Sequence, residues 1–223
     1  MLQIGIAGVG RLGRFHAGKI LSDPRCALAG VYDIDPIRNQ EAARDFGVKA
    51  FGSYVELLAA CDAVDIVATT SAHYELAKTA LHTGKPVFVE KPLCAELKQA
   101  EEVAELADKL GLSIQVGHIE RFNPIILAAE RHISSPLFIE STRISSFRPR
   151  GTDVSVVLDL MIHDIDLILD FVNSPLSAVR ANGAGILTPT LDIANARLEF
   201  ACGTVANVTS SRVSPTMMPN SSI

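Results

Sequence analysis

From the first residues on, short apolar runs alternate with amphipathic stretches, and that alternation predicts the architecture of the first half of the chain. Leu2–Ala7 has the character of a buried strand, and Gly8-Val9-Gly10-Arg11-Leu12-Gly13 turns from it into a helix reaching about Leu21. Asp23-Pro24 breaks that helix, and Cys26–Asp33 supplies a second strand. Asp35 before Pro36 reads as an N-cap followed by a first-turn proline, and Gly47 stops the helix after Phe46. A short strand is expected at 48–51, then a helix entered through Ser53 and Glu56 at capping-box spacing. Strand 64–69, a helix ending at Gly84, strand 87–90, helix 96–110 closed by Gly111 and strand 112–116 complete the series. Strands separated by helices need crossovers, and crossovers make a mainly parallel, doubly wound sheet. The expected α/β domain is a Rossmann-type sheet over residues 1–118.

Past that boundary the pattern changes. Asn123-Pro124 opens a helix, 137–145 alternates like a half-exposed strand, and 155–171 reads as a strongly apolar helix. Residues 194–200 alternate cleanly, turn at Cys202-Gly203 and resume through Val208. Strands joined by hairpins and backed by helices predict an α+β second domain, residues 119–223, with a mainly antiparallel sheet. The tail from Ser214 shows neither period and is expected to fray.

Composition narrows the classes. At 48% hydrophobic residues the chain can fill packed cores rather than stay disordered. A net charge of −5 without a long basic run argues against nucleic acid or an anionic membrane surface as partner. Cys26, Cys61, Cys94 and Cys202 are scattered and form no CxxC pair, which suits a reducing cytoplasm and no metal site. The chain enters an apolar strand directly and holds no run long enough to span a bilayer, so neither a signal peptide nor a membrane helix is expected.

The candidate chemistry starts at Gly8, Gly10 and Gly13. A GxGxxG string gains meaning here because it follows a strand, opens a helix and precedes Asp33 at the end of the second strand. Gly8 allows the tight turn, Gly10 lets backbone approach a pyrophosphate, and Gly13 lets helix and strand close up. The helix N-terminus at Arg11 and Leu12 faces the phosphate charge. Asp33 would accept hydrogen bonds from the adenosine ribose, favouring NAD, while nearby Arg38 leaves NADP open. Thr69, Thr70 and Ser71 leave the strand on the side where ligands bind, and His73 either packs or touches cofactor. Glu90-Lys91-Pro92 ends an apolar run on that same side.

Removing hydride from an alcohol needs a group to take the hydroxyl proton. His16, His82 and His132 sit on ordinary helices, where packing or surface roles are expected. His163 is set in an apolar stretch four residues after Asp159, one helical turn apart. A carboxylate there can orient the imidazole as a general base, although a structural Asp–His pair has the same spacing. Lys91 can hold the hydroxyl and stabilise charge developing on its oxygen. Lys91 and His163 are expected to converge beside the dinucleotide. Asp164 and Asp166 read as solvated or capping.

The glycine fingerprint, Glu90-Lys91-Pro92 and the Asp159/His163 pair together resemble the Gfo/Idh/MocA oxidoreductases, in order over nearly the whole chain. The resemblance implies catalytic roles for Lys91 and His163 with Asp159 assisting, a sugar, nucleotide-sugar or cyclitol substrate, and a homo-oligomer formed through the open sheet of the second domain. Residues 117–124 are similar to the branch that includes UDP-N-acetylglucosamine 3-dehydrogenases. That likeness implies substrate contacts from Arg121 and Asn123, with Arg148 or Arg150 meeting a diphosphate. Members of the family usually continue well beyond Arg212-Val213, so the second domain is expected to be shortened. A cofactor-binding protein without catalysis, or a same-fold reductase of a non-sugar substrate, are the alternatives.

Overall fold

A computed structural model describes residues 1–147 and 154–213, and the chain divides into two units, Met1–Gly117 and His118–Ile223. The first unit runs β1 (Leu2–Ala7), α1 (Arg11–Ser22), β2 (Cys26–Tyr32), α2 (Pro36–Phe46), α3 (Tyr54–Ala59), β3 (Ala63–Ile66), α4 (Thr70–His82), β4 (Val87–Val89), α5 (Leu97–Leu110) and β5 (Ile114–Val116). Its sheet has the order β2-β1-β3-β4-β5 and is parallel throughout. Local signals set the helix ends. The Asp35 carboxylate accepts the N–H groups of Ile37 and Arg38, and the Ser53 hydroxyl accepts that of Glu56. Gly47 and Gly111 close α2 and α5 in the left-handed conformation.

Two apolar layers sandwich the sheet. Val9, Ala17, Leu28, Val31 and Ala42 fill one side, while Leu57, Ile66, Ala80, Leu81 and Val103 fill the other. The strand expected at 48–51 shrinks to a single bridge, Ala50 to Val31. Its neighbours are already committed: Val48 N–H closes α2 on the Ala43 carbonyl, and Gly52 N–H goes to the Glu56 carboxylate. The first sheet therefore has five strands rather than six.

The second unit opens with a 3-10 turn at Ile119–Phe122, then α6 (Pro124–Glu130), β6 (Phe138–Ile144), α7 (Ile162–Val172), β7 (Leu176–Ala184), β8 (Ile193–Phe200) and β9 (Val205–Ser211). Strand order is β6-β9-β8-β7, with β6 parallel to β9 and the other pairs antiparallel. β7 was not foreshadowed by the apolar pattern, because nearly every one of its residues is exposed and no alternation marks it. The long helix expected at 155–171 begins instead as a π-helical turn, Val157–Met161, before α7. Val156 and Met161 both enter the core. An ordinary helix would set residues five apart at about 140° to one another, so the wider turn lets both face inward. Ile168, Leu198, Phe200 and Val208 complete that core.

Just before β8, Asp192 is fully buried, accepts the N–H groups of Ile186, Leu187 and Thr188 and forms an ion pair with Arg212 Nε at 3.1 Å. Burial would raise the Asp192 carboxyl, but the N–H groups of Ile186, Thr188 and Leu187 and the Thr188 hydroxyl outweigh it and hold the group well below the usual carboxylate range.

Candidate active site

Because β1 to β5 are parallel, the turns that follow them all leave one edge of the first sheet, the edge outside which ligands bind in such folds. The glycine turn leaves β1 there. Gly8 has φ +96°, and a Cβ on it would come within 2.6 Å of the Val67 carbonyl oxygen. A Cβ on Gly13 would overlap the Gly8 carbonyl oxygen, so helix and turn touch backbone to backbone. At Gly10 a Cβ would meet nothing within 4 Å. Gly10 is also the N-cap of α1 and brings no side-chain cap to the helix's first turn, where Arg11 and Leu12 stand exposed. Open space over an uncapped helix N-terminus fits a pyrophosphate.

Asp33, just past β2, is buried and accepts the N–H groups of Val9 and Asp35, each at 2.9 Å, with Arg38 Nη1 at 3.5 Å. It thus ties the glycine turn to the second strand. Past β3, Thr69 is the N-cap of α4, and its hydroxyl lies 3.3 Å from that of Ser71, with Thr70 opening the helix between them. His73 is 1% exposed, its ring nitrogens lying 2.8 Å from the Pro92 carbonyl and 3.1 Å from that of Ala68. Of the two roles open to it, the packing role is the one this burial fits, since both polar ring atoms are taken.

Lys91 follows β4 through a cis bond to Pro92, and its backbone N–H donates to Glu90 Oε2 at 3.1 Å. Glu90 is buried against Gly117, where a Cβ would come within 2.9 Å of its carboxylate. Its second oxygen lies 3.3 Å from Nε2 of His16, whose Nδ1 lies 2.9 Å from Asp65 Oδ2. His16 is therefore no ordinary helix residue. Burial would depress its imidazole, but the hydrogen bonds with Asp65 and Glu90 outweigh it and raise the group from 6.5 to about 9. Burial likewise pushes Asp65 up, while the His16 contact overcomes burial at Glu90 and holds it low. The legible signal was Asp65, a charge inside the apolar strand Ala63–Ile66 that required a partner. An open hollow of about 460 Å³ borders this cluster, walled mainly by Ile4, Ile20, Pro86, Val87 and Phe88 and remote in character from a phosphate cradle.

In the second unit Asp159 sits on the π-helical turn and His163 on α7, with His163 Nδ1 shut away from solvent. Such turns recur at functional sites. The neighbouring acids are not merely solvated. Asp164 holds Arg143 through two bonds of 2.8 and 3.0 Å, and Asp166 holds Arg121 through two of 2.7 and 2.8 Å, with Asp170 adding a third contact. Arg121 is thereby fixed against α7. Asn123 caps α6 by accepting the Ile125 N–H and donates to Glu120. Arg148 and Arg150 lie outside the described residues. Among the described residues no cluster of His, Cys, Asp or Glu could hold a metal ion, and no helix is long and apolar enough to cross a membrane.

Comparison with known proteins follows the two units. Residues 2–118 match the oxidoreductase family Gfo/Idh/MocA, NAD-binding Rossmann fold, and residues 132–221 match the Gfo/Idh/MocA C-terminal domain. The chain is 38% identical over 213 residues to the UDP-N-acetylglucosamine 3-dehydrogenase of Acidithiobacillus ferrooxidans, covering 95% of this chain and 67% of that one. It is 28% identical over 233 residues to scyllo-inositol 2-dehydrogenase (NAD(+)) of Bacillus subtilis, covering 96% of this chain and 68% of that one. A solved structure of the A. ferrooxidans enzyme superposes with a TM-score of 0.89, covering 96% of this chain and 70% of that one. The chain thus spans about two thirds of the length of these curated relatives.

Proposed function

The chain belongs to the Gfo/Idh/MocA oxidoreductases, an NAD-binding Rossmann family, and from that premise we propose that it oxidises a hydroxyl of a nucleotide-sugar, UDP-N-acetylglucosamine before a cyclitol. The observation that carries this is in the first unit: an open glycine cradle at Gly10 and the Glu90-Lys91-Pro92 turn leave the same edge of one parallel sheet. The substrate preference rests on the 38% identity with the UDP-N-acetylglucosamine 3-dehydrogenase against 28% with the inositol enzyme.

NAD supplies the hydride acceptor. The chain's own residues do the rest. Gly8, Gly10 and Gly13 let the backbone of α1 meet the pyrophosphate, Asp33 takes the ribose hydroxyls, and the Thr69 and Ser71 hydroxyls line the approach. The Lys91 ammonium holds the reacting hydroxyl and offsets the charge gathering on its oxygen. With Nδ1 buried, His163 takes the hydroxyl proton at Nε2, and Asp159 steadies the imidazolium that results. Arg121 and Asn123 shape the substrate side through their bonds to α7 and α6, with Arg148 or Arg150 on the diphosphate. The working state is a homo-oligomer in the cytoplasm, with a small-molecule substrate and no nucleic acid.

The test is NADH formation from NAD with UDP-N-acetylglucosamine, myo-inositol and scyllo-inositol in parallel. Lys91→Ala is expected to lower turnover by about a hundredfold or more while NADH affinity stays within about threefold. Equal turnover in the variant removes Lys91 from the chemistry. NADH binding with no turnover on any of the three leaves the cofactor-binding reading in its place.

A further inference from the structure

In its second turn α1, the helix that starts at the glycine cradle, carries a side chain that reaches two strands at once. His16 Nδ1 is 2.9 Å from Asp65 on β3, and Nε2 is 3.3 Å from Glu90 beyond β4. The other oxygen of Glu90 accepts the Lys91 N–H, and Gly117 presses on the carboxylate so closely that a Cβ there would strike it. Imidazole, carboxylate and the Lys91 backbone thus form one continuous linkage. We propose that His16 is a positioning residue for Lys91: by bridging Asp65 and Glu90 it fixes the carboxylate that holds the Lys91 backbone, and so sets where the Lys91 ammonium meets substrate. This rests on the reading of Lys91 as a catalytic residue.

Stability alone does not account for the arrangement. Three ionisable groups packed in a sheet lose solvation that their attraction only partly returns, and apolar residues of the same volume would hold the strands as well or better. What the ionic version adds is direction. A buried carboxylate with a fixed partner on one oxygen presents the other in one orientation. The groups facing His16 are Asp65 from β3, Glu90 from the end of β4 with Lys91 beyond it, the Phe88 ring edge-on at 5.9 Å, and Lys19 bordering the same hollow. The two carboxylates outweigh burial and leave the ring cationic at neutral pH.

Amide hydrogen exchange on the full chain, resolved by NMR, reads the linkage without turnover. In His16→Asn the Lys91 amide is expected to exchange about tenfold faster over and above the acceleration that Ile6 and Val64 in β1 and β3 share with it through lost stability. A Lys91 amide that keeps its wild-type rate overturns the proposal, and so does acceleration of Ile6 and Val64 by the same factor, the mark of a merely structural residue. Should His16→Asn fail to fold, Glu90→Gln keeps the side chain's shape and breaks the same ion pair. It is expected to give the same excess acceleration at Lys91, and its absence is equally fatal. With NAD and UDP-N-acetylglucosamine, His16→Asn is expected to lower kcat about tenfold, with KM for NAD within about twofold and no further loss in a Lys91→Ala background. An unchanged kcat overturns the positioning role. Full turnover in Lys91→Ala overturns the catalytic reading instead, and the two failures are told apart because exchange does not depend on turnover.

Discussion

Two glycines three residues apart should respond in opposite ways to the same methyl group. Gly10 has φ −63° and ψ −168°, a backbone any residue adopts, and a Cβ there meets nothing within 4 Å. Gly10→Ala exchanges a tolerable N-cap for a poorer one and gains some unfolded-state entropy, so unliganded stability should change by less than about 1 kcal/mol. The new methyl occupies the approach to the pyrophosphate, and a hundredfold loss of NAD affinity corresponds to about 2.8 kcal/mol. With NAD at a hundred times the wild-type Kd, the wild type gains about 2.7 kcal/mol and the variant, now at its own Kd, about 0.4 kcal/mol. At about 2–4 °C per kcal/mol for a chain of this size, a wild-type Tm shift of about 5–11 °C collapses to about 1 °C. Gly13→Ala is the contrast. Its methyl overlaps the Gly8 carbonyl, and overpacking of that kind costs about 1–3 kcal/mol with no ligand present. Thermal unfolding with and without NAD, paired with NADH fluorescence titration, measures both. A wild-type NAD shift in Gly10→Ala refutes the cradle, and unliganded destabilisation equal to that of Gly13→Ala refutes the open space.

Stability should also depend on pH through His16, whose folded value is raised from 6.5 to about 9. Its contribution is complete below 6.5 and is lost as pH rises through about 9, a decline of about 1–2 kcal/mol once solvent screening of a partly exposed ring is allowed for. Urea midpoints across that window should fall more steeply in the wild type than in His16→Asn, and equal slopes would refute the assignment. Arg212 is 3% exposed, and besides Asp192 it donates to the carbonyls of Val154 and Leu191. Arg212→Ala leaves the buried Asp192 carboxylate with its loop donors but without its counter-ion, so the second unit should lose about 1–3 kcal/mol in urea unfolding followed by limited proteolysis. A loss under about 1 kcal/mol would show that the pair carries little.

Backbone chemistry was the most legible part of the fold. Asp35-Pro36, Gly47, Ser53/Glu56 and Gly111 each state a helix end through local hydrogen bonds or a left-handed turn, and each sits where the structure uses it. The glycine turn reads equally well as backbone, because a Cβ at Gly8 or Gly13 would strike neighbouring main chain. Long-range pairings were the opaque part. β7 gets its strand conformation from β8 alone, and its exposed residues carry no alternation of their own. The π-helical turn answers a packing demand between Val156 and Met161 that no helical period announces. His16 looked ordinary because its partners, Asp65 and Glu90, are distant in sequence and meet it only across the sheet. Asp164 and Asp166 likewise show their purpose only beside Arg143 and Arg121.

The parallel pairing of β6 with β9 governs the order in which the second unit can assemble. Phe138 lies opposite Val205, and Ile144 opposite Ser211, partners separated by roughly 65 residues of intervening chain. In the first unit Leu2 meets Cys26, so β1 and β2 can zip while the ribosome is still far from β5. Among the described residues β6 has no such early companion, for its one neighbour in the sheet there is β9, which emerges after β7 and β8. During synthesis it stands as a bare edge, half apolar, through the translation of everything between, a window in which a chaperone or a second nascent chain competes for it.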